Sequence, residues 1–439
     1  MDIQHIRDNP PSSTPYWWEA TPRPELTQEP LPEQVDIAIV GSGYAGLSAA
    51  ISAAKAGASV LVIESGRIGE GASTRNGGAV GESLRLSYSG MLRKYGKEHA
   101  NRFYDATRDA HRYLRQLIAE HNIDCDYRIT GRLMAAHNPA DYESLAADLE
   151  IRRREREYEA QMIPRSELRN IIGTDAYHGG RYTPGEGNID PGKWHQGLFM
   201  AARGLGVQFA DQTPVTGVHN THAPSHAPFQ VRTTRGPVRA RSVIMAINAY
   251  TGAVDRWLAR RIVPVQSQII ATEPLPPDLA ERLIPQNRQM GDTRNLHNYF
   301  RRSPDGRRIL FGGRAGATEI NDIVQRTMAL RGQMISVFPE LESAAITHSW
   351  AGFVAYTFDV TPHITTHRGI HYVGGCCGSG VVMMPYLGHK VAMKALGMDA
   401  EAETPFDRRY RYVPGYFGKP WFMPAIMKYF AYQDGRSGR

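Results

Sequence analysis

A polar, proline-studded lead gives way abruptly to a short apolar run, VDIAIV at 35–40. A run this short, closed by glycine, predicts a strand buried on both faces. A small-residue helix to Ala56 follows, then a Gly57 stop and a second apolar strand, Val60 to Ile63, ending on Glu64. This is the pattern of a βαβ unit. The next segment, SGRIGEGASTRNGGAVGES, is too long for a plain connection, and long loops in compact domains are usually functional. Residues 89–121 predict long helices carrying Tyr95, Phe103, Tyr113 and Leu117; 131–138 predicts a strand, and 139–160 an exposed charged helix. Loop, helix and strand follow at 180–209, then short strands in VTGVHN, FQVRTT and VRARSVIMAINAY. The last is apolar until Asn248, as a strand is when it ends at a ligand crevice. Further strands are expected at 262–273 and 308–314, a helix at 321–337, and a strand, glycine turn and helix at 370–397.

Nucleotide-binding elements thus fall near the start, middle and end. The expected fold class is α/β: a Rossmann-like dinucleotide-binding domain interrupted in sequence, plus an α+β substrate domain with a mixed or antiparallel sheet. The expected division is an N-terminal arm (1–34) wrapping the surface, a dinucleotide-binding domain (35–88, 162–252 and 350–398), a substrate domain (89–161 and 253–349) and a C-terminal tail (399–439). A simple NAD dehydrogenase would keep its dinucleotide domain contiguous.

Length supports two domains, since 439 residues exceed one ordinary core. No apolar run approaches the ~20 residues of a membrane helix. Three cysteines, Cys125, Cys376 and Cys377, make no disulfide framework and fit a reducing cytoplasm. Net charge is 51 − 44 = +7. Of the basic clusters, RRRER (152–156) reads as a solvated helix face and RRSPDGRR (301–308) as a hairpin turn around Asp305-Gly306. Neither has the interleaved aromatics of a nucleic-acid module, so no nucleic-acid partner is expected.

The candidate chemistry lies in the first turn. Gly41, Gly43 and Gly46 have the G-x-G-x-x-G spacing of a dinucleotide fingerprint, within the segment Gly41-Ser42-Gly43-Tyr44-Ala45-Gly46. The first glycine allows the tight turn, the second lets a pyrophosphate approach the backbone, and the third lets helix and strand pack closely. The helix start offers free N–H groups and roughly half a unit of positive charge. Glu64 falls where a carboxylate accepts ribose hydroxyls. No metal is called for.

With these motifs, the chain resembles the D-amino-acid-oxidase-type family of FAD-dependent oxidoreductases, nearest its γ-glutamylputrescine-oxidoreductase-like amine oxidases. The resemblance rests on YWWEA, GSGYAG, IGEGASTRNGG, NIDPGKWHQGL, VIMAINAY, FRRSPDGRRILFGGR, WAGFVAYTFDVTPHI and CCGSGV. It implies adenosine at Glu64, Ser65 and Arg67, with Gly71, Ala72, Ser73, Arg75, Asn76, Gly77 and Gly78 along the pyrophosphate and flavin. It implies Val215 on the adenine side, Asn248 at the rear, and Gly378, Ser379, Gly380 and Val381 facing the pyrimidine ring. Many relatives read G-H-G where this chain has Gly378-Ser379-Gly380. Val354 stands where some relatives attach flavin through cysteine, so FAD is expected to be non-covalent. Cys376 and Cys377 are expected to pack a tight turn.

The activity implied is C–N oxidation of a small amine, of the class of γ-glutamylated polyamines or N-alkyl amino acids, with hydride passing to flavin N5 and the imine hydrolysing. Deamination of a free amino acid, or electron transfer without a small substrate, is the alternative. The acceptor is left open between molecular oxygen and another carrier, and so is homo-oligomer formation. The donor nitrogen must be neutral, and an amine of pKa ~10.4 is neutral about once in two thousand molecules at pH 7. An apolar aromatic pocket lowers that pKa by desolvation. Tyr299, Trp350, Phe353 and Tyr356 are the candidates for its lining, and Arg75, Arg302 and Arg314 for holding a carboxylate.

Overall fold

The computed structural model describes residues 3–221, 227–252, 254–315 and 320–437. Its first sheet is built around the predicted βαβ unit. In order across the sheet run His363–His367, Ile370–Gly374, Gly236–Met245, Gln34–Val40, Val60–Ile63 and Gln208–Ala210, with Phe229–Thr233 and Val215–Asn220 extending it beside Gly236–Met245. The central pairs are parallel, with Ile37 opposite both Ser242 and Val60, and Ile244 opposite His371. Parallel strands need both faces covered, which explains their continuous apolar runs.

The helix Tyr44–Lys55 packs against Gly380–Ala395. Their approach depends on Gly388, where a Cβ would sit 2.3 Å from the Ala45 carbonyl oxygen. The helix Tyr88–Glu120 joins the same apolar core through Met91, Phe103, Tyr104 and Leu114. It breaks at Gly96, whose φ of 79° is open to glycine.

The second sheet is mixed. Its order is Ile346–Thr357, Ile262–Thr272, Ile309–Gly313, Tyr299–Arg302, Gln289–Asp292, Arg132–Ala135, Gly179–Thr183 and Gln161–Pro164. Only Gln289–Asp292 and Arg132–Ala135 run parallel. Register puts Ile270, Phe311, Phe300, Met290 and Leu133 on one face. They form a core with Leu330, Met334 and Val337 of the helix Ile323–Val337. Ile269, Gly312, Tyr299 and Trp350 share the opposite face, which meets the first domain.

These pairings correct several expectations. Residues 350–357 and 162–183 contribute strands to the second sheet, while the helix expected in the substrate domain packs on the first. Short apolar strands carry no mark of which sheet they join. The N-terminal segment does more than wrap the surface: Trp17 is fully buried, and Ser12 bridges to His348. Arg152, expected on a solvated face, is buried with its guanidinium 3.3 Å from the centre of the Tyr158 ring and 4.5 Å from that of Tyr104. The hairpin at Asp305-Gly306 forms as expected, antiparallel between Tyr299–Arg302 and Ile309–Gly313. Among the described residues, no helix is long and apolar enough to cross a membrane.

Candidate active site

The glycine turn obeys its steric logic. Gly41 adopts φ +105°, and a Cβ there would meet the Ala246 carbonyl oxygen at 2.7 Å. A Cβ on Gly46 would sit 1.9 Å from the Gly41 oxygen. Gly43 caps the helix that starts at Tyr44, and its Cβ would lie 3.0 Å from Ser73 Oγ. The turn opens on a cavity of about 430 Å³, lined by Gly41–Ala45, Glu64–Gly66, Gly69–Ser73, Arg75, Ala246–Asn248 and Ala351–Phe353.

Glu64 uses both carboxylate oxygens. Oε2 accepts from the Ser42 amide at 2.9 Å and the Ser42 hydroxyl at 2.8 Å. Oε1 accepts from the Ser65 hydroxyl at 3.1 Å and the Gly66 amide at 3.2 Å. Sequence reasoning missed the brace beneath this turn. His195 is fully buried, and burial first, then the Arg23 charge, lowers its pKa to about 3. The ring is therefore neutral. Its Nε2–H donates to the Ser42 carbonyl at 2.7 Å, leaving Nδ1 to accept from Arg23 Nη1 at 3.4 Å.

Three indoles pin the second glycine-rich segment. Trp17 Nε1 donates to the Asn76 carbonyl, Trp18 Nε1 to Thr74 Oγ1, and Trp350 Nε1 to the Arg75 carbonyl, each at 2.9 Å. Trp350, expected to line a substrate pocket, is instead fully buried among Trp17, Ile269, Ala271 and Leu310. Its bulk holds the loop. Asn76 also serves the loop, its amide donating to Ala72 and Ser73 carbonyls while Oδ1 accepts from the Gly78 amide at 2.9 Å. Gly77 lies under the Tyr299 ring, and Gly78 is pressed to the Ile189 carbonyl. The Arg75 guanidinium donates to the carbonyls of Glu70 and Ala351 and stacks 4.8 Å from the Trp18 ring centre.

Behind the cavity, Asn248 adopts φ 46° and accepts from the Gly375 amide at 3.0 Å. Val373 and Met384 complete that wall. Gly378, Ser379, Gly380 and Val381 start the helix Gly380–Ala395 but do not line the cavity, nor do Arg67 and Val215. Arg67 is exposed, and Val215 pairs with Thr233 at the extended edge of the sheet. Cys376 and Cys377 are buried free thiols; burial pushes Cys377 up to about 12, so it is a thiol at neutral pH.

The second sheet supplies a different group of side chains. The Tyr299 hydroxyl lies 2.9 Å from Ser267 Oγ, and burial raises its pKa to about 12. Phe353 lines the main cavity and meets Tyr250 edge to face. The Arg314 guanidinium carbon lies 5.8 Å from the Tyr356 ring centre, and its Nη1 lies 3.1 Å from Met427 Sδ. Burial is the largest influence on Arg314 and lowers its pKa; Tyr356 opposes the shift and Arg85 adds to it. Among the described residues, no carboxylate pairs with it. Arg302 is not free for a substrate. It pairs with Glu281 at 2.6 Å, because alternation turns it away from the face carrying Tyr299 and Arg301.

A parallel sheet with a glycine turn over a deep cavity, faced by a mixed sheet, defines a two-domain dinucleotide-binding oxidoreductase. The family model described as FAD dependent oxidoreductase (DAO) matches residues 36–393, and the chain belongs to that family. It is 33% identical over 373 residues to γ-glutamylputrescine oxidoreductase of Escherichia coli (strain K12), covering 84% of this chain and 85% of that protein. It is 30% identical over 383 residues to probable oxidoreductase OrdL of Haemophilus influenzae, covering 86% of this chain and 85% of the relative. Among solved structures, glycine oxidase from Geobacillus kaustophilus has a TM-score of 0.70 at 21% identity, covering 86% of this chain and 97% of that one. The protein is FAD-dependent, and the cavity suits that cofactor: its walls contain Gly41 and Gly43, which leave room at the helix start, and the Glu64 carboxylate at the end of the second strand.

Proposed function

We propose that this protein oxidises a C–N bond in a small amine that carries a carboxylate, of the class of γ-glutamylated polyamines or N-alkyl amino acids. The observation that carries this reading is Arg314: a half-buried guanidinium just past the strand Ile309–Gly313, without a carboxylate partner among the described residues, beside Tyr356 of the second sheet and Met427 of the C-terminal helix. Arginine's planar fork suits bidentate carboxylate binding. The similarity to γ-glutamylputrescine oxidoreductase of Escherichia coli supports the same substrate class.

FAD, when bound, would supply the oxidising equivalent for removal of a hydride from the substrate carbon beside nitrogen, and the resulting imine would be hydrolysed by water. Gly41, Ser42, Gly43, Tyr44, Ala45 and Gly46 would hold its diphosphate, and Glu64 and Ser65 its ribose. Two of the four bonds on Glu64 come from serine hydroxyls, and the exposed Ser65 hydroxyl would be the one to give way to a ribose hydroxyl. Gly71, Ala72, Ser73, Arg75, Asn76, Gly77 and Gly78 would form the loop over the cofactor, with Asn248 behind it. Tyr299 and Tyr356 exclude water from the amine, and Arg314 orients it through the carboxylate. Val354 supplies no nucleophile for attachment, so acid-precipitated protein should leave a white pellet and a yellow supernatant. A yellow pellet contradicts non-covalent binding.

An enclosed aromatic site favours the neutral amine. The rate of flavin reduction should rise with pH through the bound amine's pKa and then level, because protonation removes the nitrogen lone pair. A flat profile from pH 6 to pH 10 would argue against selection of the neutral form. The reading itself is tested by turnover with amines bearing or lacking a carboxylate, followed by trapping of the carbonyl product. No carbonyl product from any carboxylated amine refutes it.

A further inference from the structure

We propose that the C-terminal tail docks this protein onto the surface of an anionic phospholipid bilayer. Among the described residues, twelve large apolar side chains stand exposed, and seven of them lie between Tyr412 and Tyr432. Trp421 is 71% exposed, Phe417 67% and Tyr429 57%. The fold has already taken the apolar contacts it needs from this segment: Tyr416 and Met427 are buried against Val263 and Val265, and the Tyr416 hydroxyl donates to the Ile262 carbonyl at 2.7 Å. The helix Met423–Ser437 therefore has apolar side chains on two sides, Met427 inward and Ile426 with Tyr429 outward. The outward apolar side chains of its first half, Ile426 and Tyr429, thus lie uncovered on the face away from the fold.

Charge identifies the cover. Residues 409–433 contain Arg409, Arg411, Lys419 and Lys428 and no aspartate or glutamate, while the neighbouring Arg408 is turned away onto Asp359 and the rings of Tyr95 and Phe103. Basic groups from elsewhere join the same patch, with the Arg260 guanidinium 5.0 Å from the Phe417 ring centre and Arg261 5.5 Å from that of Tyr412. A second copy would bring the same unbalanced positive charge against this one, which disfavours a symmetric pair. Tryptophan, tyrosine and phenylalanine mixed with lysine and arginine suit the headgroup layer, where aromatic rings sit at the apolar boundary and cations meet lipid phosphates. No described helix is long and apolar enough to span, so the tail lies on the surface.

The test is flotation of the full-length, flavin-loaded protein with phosphatidylcholine vesicles, with and without phosphatidylglycerol. The protein should float with the phosphatidylglycerol vesicles, and added salt should release it. Lys419→Glu should lower the partition coefficient about tenfold or more, since it reverses one unit of surface charge. Phe417→Ser combined with Trp421→Ser should abolish flotation. Both variants should keep the parent's flavin spectrum and turnover, because neither touches the cavity. Failure of the parent to float, or equal flotation by the double variant, overturns the proposal. So does a doubled mass in light scattering that Trp421→Ser halves, which assigns the patch to a second copy. Binding to an acidic protein without any binding to vesicles assigns it to a protein partner and likewise overturns it.

Discussion

Gly46→Ala protein is expected to purify nearly colourless, with FAD affinity and thermal stability both lowered. The added Cβ would sit 1.9 Å from the Gly41 carbonyl oxygen, a backbone atom with no rotamer to yield. Gly41 is itself tied to the second strand, its amide donating to the Ile63 carbonyl at 2.8 Å. The helix must therefore move off the strand, at a cost of roughly 1–3 kcal/mol for overpacking. That same shift pulls the helix start away from the diphosphate, so cofactor loss accompanies destabilisation. Gly204→Ala is the control, since a Cβ there meets nothing within 4 Å. The comparison is visible absorbance per protein, FAD affinity and melting temperature. Full flavin content with wild-type affinity in Gly46→Ala would remove the steric role given to this glycine.

Arg314→Ala should raise KM for a carboxylated amine by thirty-fold or more, while an analogue lacking the carboxylate changes far less. Removing one partner from a buried, hydrogen-bonded charge pair costs roughly 2–5 kcal/mol, and each 1.4 kcal/mol is tenfold. Arg314→Lys should recover only part of the loss, because an ammonium lacks the planar fork. Arg75→Ala should behave differently. Its guanidinium secures the loop to Glu70 and Ala351, so flavin loading should fall with little change in substrate discrimination. Equal KM changes for both substrates in Arg314→Ala would dissociate this arginine from the carboxylate.

The βαβ unit was legible because its determinants are local: two apolar strands, three spaced glycines and a terminal acid within 30 residues. The hairpin at Asp305-Gly306 was legible for the same reason. What failed depended on facing. Period-two alternation shows that neighbouring residues diverge but not which side meets the cofactor domain. Arg301 and Arg302 illustrate this: the first donates to the Ile189 carbonyl at the domain seam, the second pairs with Glu281 on the far side. Trp350 carried an aromatic signal that suited a pocket wall equally well, and only its indole bond to Arg75 shows it to be a clamp. Arg23 and His195 were invisible as a pair, standing 172 residues apart in sequence. The one local signal near them was the N-cap Asp190 with Pro191, which marks the start of the helix carrying His195.

The most direct test of the central claim is the visible spectrum of the flavin-loaded protein under anaerobic conditions as amines are added singly. The account predicts that a small carboxylated amine bleaches the flavin, and that its counterpart without the carboxylate does so only at much higher concentration. Persistent yellow colour across carboxylated amines, in protein whose flavin dithionite still bleaches, would contradict it.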